Sequence, residues 1–329
     1  MRALLPLVFL AFCGSLQAQL SELVQGLRIL SLDAQTCYHV RDVALVREDI
    51  RLFFTDGYLI FTAPVQGRRL GGVFTADLPG GDAEILVFPP TRGERLSLAT
   101  FTGSPNLNEH FDFALMIFTD DTADRLLAQM EKQGVGRCSD SMAGVLQERW
   151  GGVVRNFIDS FLSRILHDLL SAVPAQEGFF YAALRGKRLG GFDVVHDPLA
   201  PESIQLGQVQ SRANQIVFDV WARFPGASVR RGERPPPELP VRLEEYFIEA
   251  TLAKDLSLRC VTRARLKVAR RIRALAFDLS SGMQVTRVTI DGVLCEHWQR
   301  PALRADLLHG AGVVLVVAPF ALEPGKDYS

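Results

Sequence analysis

The residues of this chain with a capacity for chemistry are few. The densest polar cluster is Asn106, Asn108, Glu109 and His110, in the stretch from Gly103 to Phe118. Two amides, a carboxylate and an imidazole so close together could line a small polar site. A plainer reading competes and is preferred. Asn106 followed three residues later by Glu109 fits a capping box that opens a short helix. The apolar run Phe113 to Phe118 fits either that helix or a buried strand.

The other chemical signals are weaker. None of the six histidines has a partner at His-Glu-x-x-His spacing. Glu296-His297 and His196-Asp197 are adjacent pairs, and adjacent residues on a strand point to opposite faces, so neither makes a dyad. There is no Gly-x-Ser-x-Gly elbow and no Walker loop. The segment Gly67-Arg68-Arg69-Leu70-Gly71-Gly72 recurs as Gly186-Lys187-Arg188-Leu189-Gly190-Gly191, identical at five of six positions. A glycine-rich basic loop could cradle phosphate, but no helix start follows to supply N–H donors. Strand, basic turn, Gly-Gly, strand is the reading for both copies.

Cysteine usage bears on compartment. Arg2, the apolar run Leu4 to Phe12 and Leu16-Gln17-Ala18 read as a secretory signal over residues 1–18, cleaved before Gln19. A lipoprotein signal would use Cys13, yet bulky Phe12 stands where such signals carry a small residue. An exported, periplasmic or extracellular location is expected. Cys37, Cys138, Cys260 and Cys295 then remain. Two disulfides and four buried thiols are the open alternatives. Cys260 with Cys295 is the first pairing expected, since both fall in one C-terminal domain. No Cys-x-x-Cys spacing supports a zinc site.

Composition bounds the rest. A chain of 329 residues, 48% hydrophobic and 22% charged, can bury more than one core. A net charge of −1 gives no global field toward nucleic acid or an anionic membrane.

The elements that must position these residues read as α+β and β-rich. An amphipathic helix is expected over 20–37, from Leu20, Leu23, Val24, Leu27 and Leu30. Strands follow at 50–54 and 58–61, joined by a type I′ turn at Asp56-Gly57, then at 72–76, 83–88 and 94–101. Helices are expected at Thr122–Lys132 and at about 153–172, where apolar pairs recur every four residues. Residues 19–224 thus form a duplicated β-meander module with helices, its copies around 50–101 and 178–224. Residues 225–243, with Pro235-Pro236-Pro237, read as a linker.

The last stretch, 244–329, reads as a β-sandwich-like domain. Leu256, Leu258, Cys260, Ala264, Leu266 and Val268 share one face of a strand, with Arg259, Arg263, Arg265 and Lys267 on the other. That basic face carries no interleaved aromatics, so a solvated face is read and no nucleic-acid partner is expected. Further strands are expected at 275–279, 285–290, 293–298 and 312–318, with a hairpin turn at Asp291-Gly292.

The succession Leu258 to Val268, Leu275 to Leu279, Val285 to Gly292 and Phe320-Ala321-Leu322-Glu323-Pro324-Gly325-Lys326 resembles the N-terminal β domain of the M1 family of zinc aminopeptidases. The resemblance covers about 85 residues and leaves the upstream part unmatched. It implies a non-catalytic β domain that helps frame a peptide site. Zinc and hydrolysis would reside in a catalytic domain downstream of Ser329. The family's His-Glu-x-x-His and Gly-x-Met-Glu-Asn motifs are absent here, so no catalytic, cofactor or metal residue is carried over. The alternative is a non-catalytic binding or scaffolding protein of the cell envelope.

Overall fold

The computed structural model describes residues 20–329 except 172, 175–176, 213–214, 281 and 300–312. The expected signal segment lies outside the described residues. The chain is α+β and β-rich, as its patterning indicates.

A helix over residues 20–28 (α1) buries Leu20, Leu23, Val24 and Leu27. It stops well short of 37, where helical apolar spacing gives way to the long strand β1 (Leu32–Arg47). β1 pairs with β2 (Ile50–Thr62) across a turn at Glu48-Asp49. Asp56-Gly57, expected as the turn, lies inside β2 instead. β3 (Gly71–Thr75) and β4 (Asp82–Val87) share one lane beside β2, pairing with its second and first halves. Gly57 sits at their joint, where a Cβ would stand 2.4 Å from Cε2 of Phe74.

The strand expected over 94–101 is a helix, α2 (Arg92–Thr102). Thr91 and Glu94 form its capping box, and Gly103 closes it in the left-handed conformation. The box expected at Asn106 and Glu109 does not form, because both lie at or in the extended segment that becomes β5 (Leu107–Phe118). β5 pairs with both β3 and β4. The sheet continues through β6 (Phe180–Gly186), β7 (Gly190–His196), β8 (Ile204–Arg212) and β9 (Gln215–Phe224). Both repeat copies lie in this one sheet, as β2–turn–β3 and β6–turn–β7.

Between β5 and β6 come α3 (Thr122–Gln133), α4 (Asp140–Ser160) and α5 (Leu162–Leu170). The expected helix at 153–172 is the end of α4 plus α5, interrupted at Phe161, whose backbone leaves helical geometry at φ −109° and ψ 13°. The sheet is buried on both faces. Met116 and Phe118 join Phe54, Phe74, Phe111 and Trp221 on one side, with α2 and α3. Leu115 and Ile117 join α1, α4 and α5 on the other. A strand covered on both faces needs no polar alternation, which accounts for the unbroken run Phe113–Phe118.

The segment expected as a linker is tied down at its start. α6 (Ala227–Arg230) meets the β1–β2 turn. There Ser228 donates to Glu48 through its N–H (2.8 Å) and hydroxyl (2.7 Å), and Arg230 grips Asp49 with two bonds.

The C-terminal unit consists of β10 (Val241–Leu252), β11 (Leu258–Val268), β12 (Ile272–Asp278), β13 (Val288–Ile290), β14 (Val293–Gln299), β15 (Val313–Leu322) and β16 (Asp327–Tyr328). They form sheets ordered β10-β11-β16 and β12-β15-β14-β13. The two share a core of Leu266, Val268, Ile272, Leu275, Val314, Val316 and Leu322. The intervening residues Leu315 and Val317 of β15 pack on the helical side of the large sheet. Arg270 binds Glu177 across the junction at 2.9 Å.

Candidate functional site

The polar cluster does not converge. Along β5, Glu109 points inward with Leu107 and Phe111, while Asn108 and His110 are exposed. Glu109 is 2% exposed, and its carboxylate accepts the N–H groups of Arg188 (2.6 Å) and Leu189 (2.9 Å). It also pairs with the Arg188 guanidinium at 3.2 Å. Glu109 therefore staples the turn of the second repeat copy. Gly186 permits this, since a Cβ there would stand 2.7 Å from Oε1 of Glu109. On the outer face, Asp82 binds His110 (2.7 Å) and Lys187 (2.6 Å). Burial raises the Asp82 pKa, and these two partners outweigh it and hold the carboxyl below its ordinary range. Asn106 is half-buried outside this group.

The other sequence candidates are also absorbed by the fold. Arg69 binds Asp33 and the Thr62 carbonyl, and Arg68 binds the Val173 carbonyl. With Lys187 and Arg188 held as above, the basic side chains of both repeat turns serve protein acceptors. Asp197 pairs with Arg164 at 3.0 Å rather than with His196. His297 bonds the Val285 carbonyl.

The expected Cys260–Cys295 pairing is not made, and both are free. The disulfide joins Cys37 to Cys138. Cys295 is enclosed in the core between the small sheets, and burial pushes its thiol up to about 11. Cys260 sits on a strand that extends beyond that core.

Among the described residues no group of three or more His, Cys, Asp or Glu side chains could hold a metal ion. His-Glu-x-x-His spacing is also missing from the sequence. No helix among the described residues is long and apolar enough to cross a membrane.

The feature without an internal explanation is the β10–β11 hairpin. Residues directly opposite on antiparallel strands share a face. The pairs Tyr246–Ala264, Ile248–Thr262, Ala250–Cys260 and Leu252–Leu258 line one face, and not one of them is charged. This row continues that of Leu266 and Val268, which are buried in the small core. Beyond Ala264 the cover ends: Tyr246 is 64% exposed, Ile248 57% and Leu252 64%. The opposite face carries Glu245, Glu249, Arg263 and Arg265, paired among themselves as Arg265–Glu245 and Arg263–Glu249. That side also carries Arg259 and the exposed Phe247 and Val261, whereas the first side of this tongue carries no charged residue. The apolar row of β11 is legible in the sequence, and β10 carries a matching signal, with Tyr246, Ile248, Ala250 and Leu252 alternating with Glu245, Phe247, Glu249 and Thr251.

Comparison with protein-family models, curated proteins and solved structures found no match to this chain. The functional reading therefore rests on the geometry of the tongue.

Proposed function

We propose that this chain is an exported, non-catalytic module that works by docking to protein. In this reading its C-terminal unit plays the part of an M1-like N-terminal β domain, framing a peptide site. Zinc-dependent hydrolysis would belong to a domain downstream of residue 329. The observation that carries the proposal is the apolar face of β10–β11, which overhangs its own core and lacks any charged group. A contiguous exposed apolar patch of this kind marks an interaction surface. The Cys37–Cys138 disulfide supports an oxidising compartment.

Two measurements test the reading. The purified chain should release no N-terminal residue from a chromogenic amide and should bind no stoichiometric zinc by elemental analysis. Chelator-sensitive release would overturn the non-catalytic assignment. The gene frame past Ser329 should encode His-Glu-x-x-His, and a stop codon there would sink the M1-like form. The second reading, a free-standing cell-envelope binding or scaffolding protein, would then stand, since the same tongue favours it equally.

A further inference from the structure

After β9 the chain crosses to β10 as a strap, residues 225–240. A cavity of about 410 Å³ lies against it, at the joint between the large sheet and the C-terminal unit. Glu48 and His196 line the cavity from the large sheet, Ser228 and Arg234 from the strap, and Ala269 and Arg270 from the C-terminal unit. The strap is fastened at both ends. At one, Ser228 donates to Glu48 through its N–H and hydroxyl, at 2.8 and 2.7 Å. At the other, the Ala269 N–H donates to the Pro240 carbonyl at 3.0 Å. Between them Pro235-Pro236-Pro237 also lines the cavity. A proline run is a semi-rigid spacer, so movement at α6 is carried through toward β10 instead of being absorbed.

His196 is the weak point of this joint. It closes β7, opposite Phe180 of β6 and Ile204 of β8, neither of which can take a charge. It is 6% exposed, and its Nδ1 has no hydrogen-bond partner among the described residues. The ionisable groups acting on it are Arg47 and Glu48 from β1 and its turn, Asp197 beside it and Arg234 from the strap. The cavity also holds Glu238, and Arg270 and Glu177, which pair with each other at 2.9 Å. Both carboxylates that act on His196 are already engaged, Glu48 by Ser228 and Asp197 by Arg164 and the Leu199 N–H. A neutral imidazole suits this setting. An imidazolium needs water, and hydrating it means lifting the strap that shields it.

We propose that His196 makes this joint acid-operated: when the imidazole takes up a proton from solvent, water enters the cavity, the strap comes away from the β1–β2 turn, and the C-terminal unit is freed from its fixed seat on the large sheet. Burial pushes the imidazole down to about 4 in the closed joint, against 6.5 once water reaches it. Opening is therefore favoured as pH falls through that interval, by roughly 50-fold between pH 7 and pH 4.5. Glu48 leaves this window clear. Burial raises its carboxyl, the bonds from Ser228 outweigh that, and the group is held below its ordinary 4.5.

The test is hydrogen exchange on the full chain between pH 7 and pH 4.5, read by mass spectrometry and scaled for the pH dependence of the intrinsic rate. Residues 226–234 should lose protection roughly 50-fold, while residues 107–118, in the middle of the large sheet, keep theirs. His196→Phe and His196→Gln, neither of which can take the proton, should abolish the slope, and the glutamine form serves if the phenylalanine form does not fold. Constant protection of 226–234 in the wild type would overturn the proposal, and so would a slope that persists in either variant. Parallel loss at 107–118 would mean that His196 acts on global stability alone, and the joint would be rejected. None of these outcomes bears on the docking reading.

Discussion

Glu109 shows how a residue with chemical potential can be wholly consumed by structure. A carboxylate at 2% exposure satisfying two backbone N–H groups and one guanidinium has no capacity left for a substrate. Hydrogen bonds to a charged group contribute about 1.5–3 kcal/mol, and removing the acceptor leaves the buried donors unpaired. Glu109→Gln, which turns half of the acceptor into a donor, should cost about 2 kcal/mol by urea unfolding. Asn108→Ala, at an exposed neighbour, should stay within about 0.5 kcal/mol. Equal costs would show that the staple has no special weight. A second residue gives a pH signature. His196 is 6% exposed, its Nδ1 has no hydrogen-bond partner, and burial pushes its pKa down to about 4. Glu48 and Asp197 pull that value up, and Arg47 and Arg234 push it down. The folded-state pKa lies below the unfolded value near 6.5, so His196 is neutral in the fold. Its contribution is complete above pH 6.5 and is lost as pH falls from there toward about 4. The shift corresponds to about 3 kcal/mol. Stability profiles should show this slope in the wild type and lose it in His196→Phe. Asp168 acts in a lower window. Burial raises its pKa, but Arg164, His167 and Thr119 hold it below the usual carboxylate range. Its stabilisation is present above about pH 4 and lost only below that.

At the scale of the element, what could be read from sequence followed from how locally each signal is written. Helix ends and hairpin turns are written in adjacent residues: Gly134 closes α3 in the left-handed conformation, and Asp291-Gly292 turns β13 into β14 with positive φ at both positions. The Thr91 and Glu94 box was equally local, but the apolar spacing of Leu96, Leu98 and Phe101 also admits a strand, and the strand reading failed. The same ambiguity misplaced a box at Asn106, where pairing of β5 with β3, β4 and β6 overrides any local cap. Runs such as Phe113–Phe118 were undecidable locally because burial on both faces erases periodicity. The tongue is the converse case. Alternation in Leu258–Val268 correctly identifies which side is apolar, but it is silent on whether anything covers that side. Cover depends on where β12–β15 end, and they reach only as far as Leu266 and Val268.

At the scale of the whole molecule, the decisive long-range link is the disulfide, and it was the least legible feature. Four cysteines allow three pairings, and the expected placement of Cys260 and Cys295 in one C-terminal domain favours joining those two. Topology decides otherwise. The chain leaves β1, builds half of the large sheet and α3, and returns to β1 at residues 136–138. There Cys138 N–H donates to the Cys37 carbonyl at 2.9 Å and His39 N–H to the Gly136 carbonyl at 3.1 Å. The strand edge brings the two sulfurs together across a sequence separation of 101. Closing a loop of that length removes unfolded-state entropy of roughly 4–5 kcal/mol in the chain-entropy model, and measured losses on removing native bridges run about 2–5 kcal/mol. The paired Cys37→Ser and Cys138→Ser variant should therefore unfold about 2–5 kcal/mol more easily while keeping the wild-type far-ultraviolet spectrum, because the backbone bonds beside the bridge remain. Reductant should bring the wild type to the same midpoint and leave the variant unmoved. Cys260→Ser should shift neither, since its thiol is free. A wild-type midpoint indifferent to reductant would mean that the β1 edge contacts alone hold the start of α4 in place, and that the bridge merely records them.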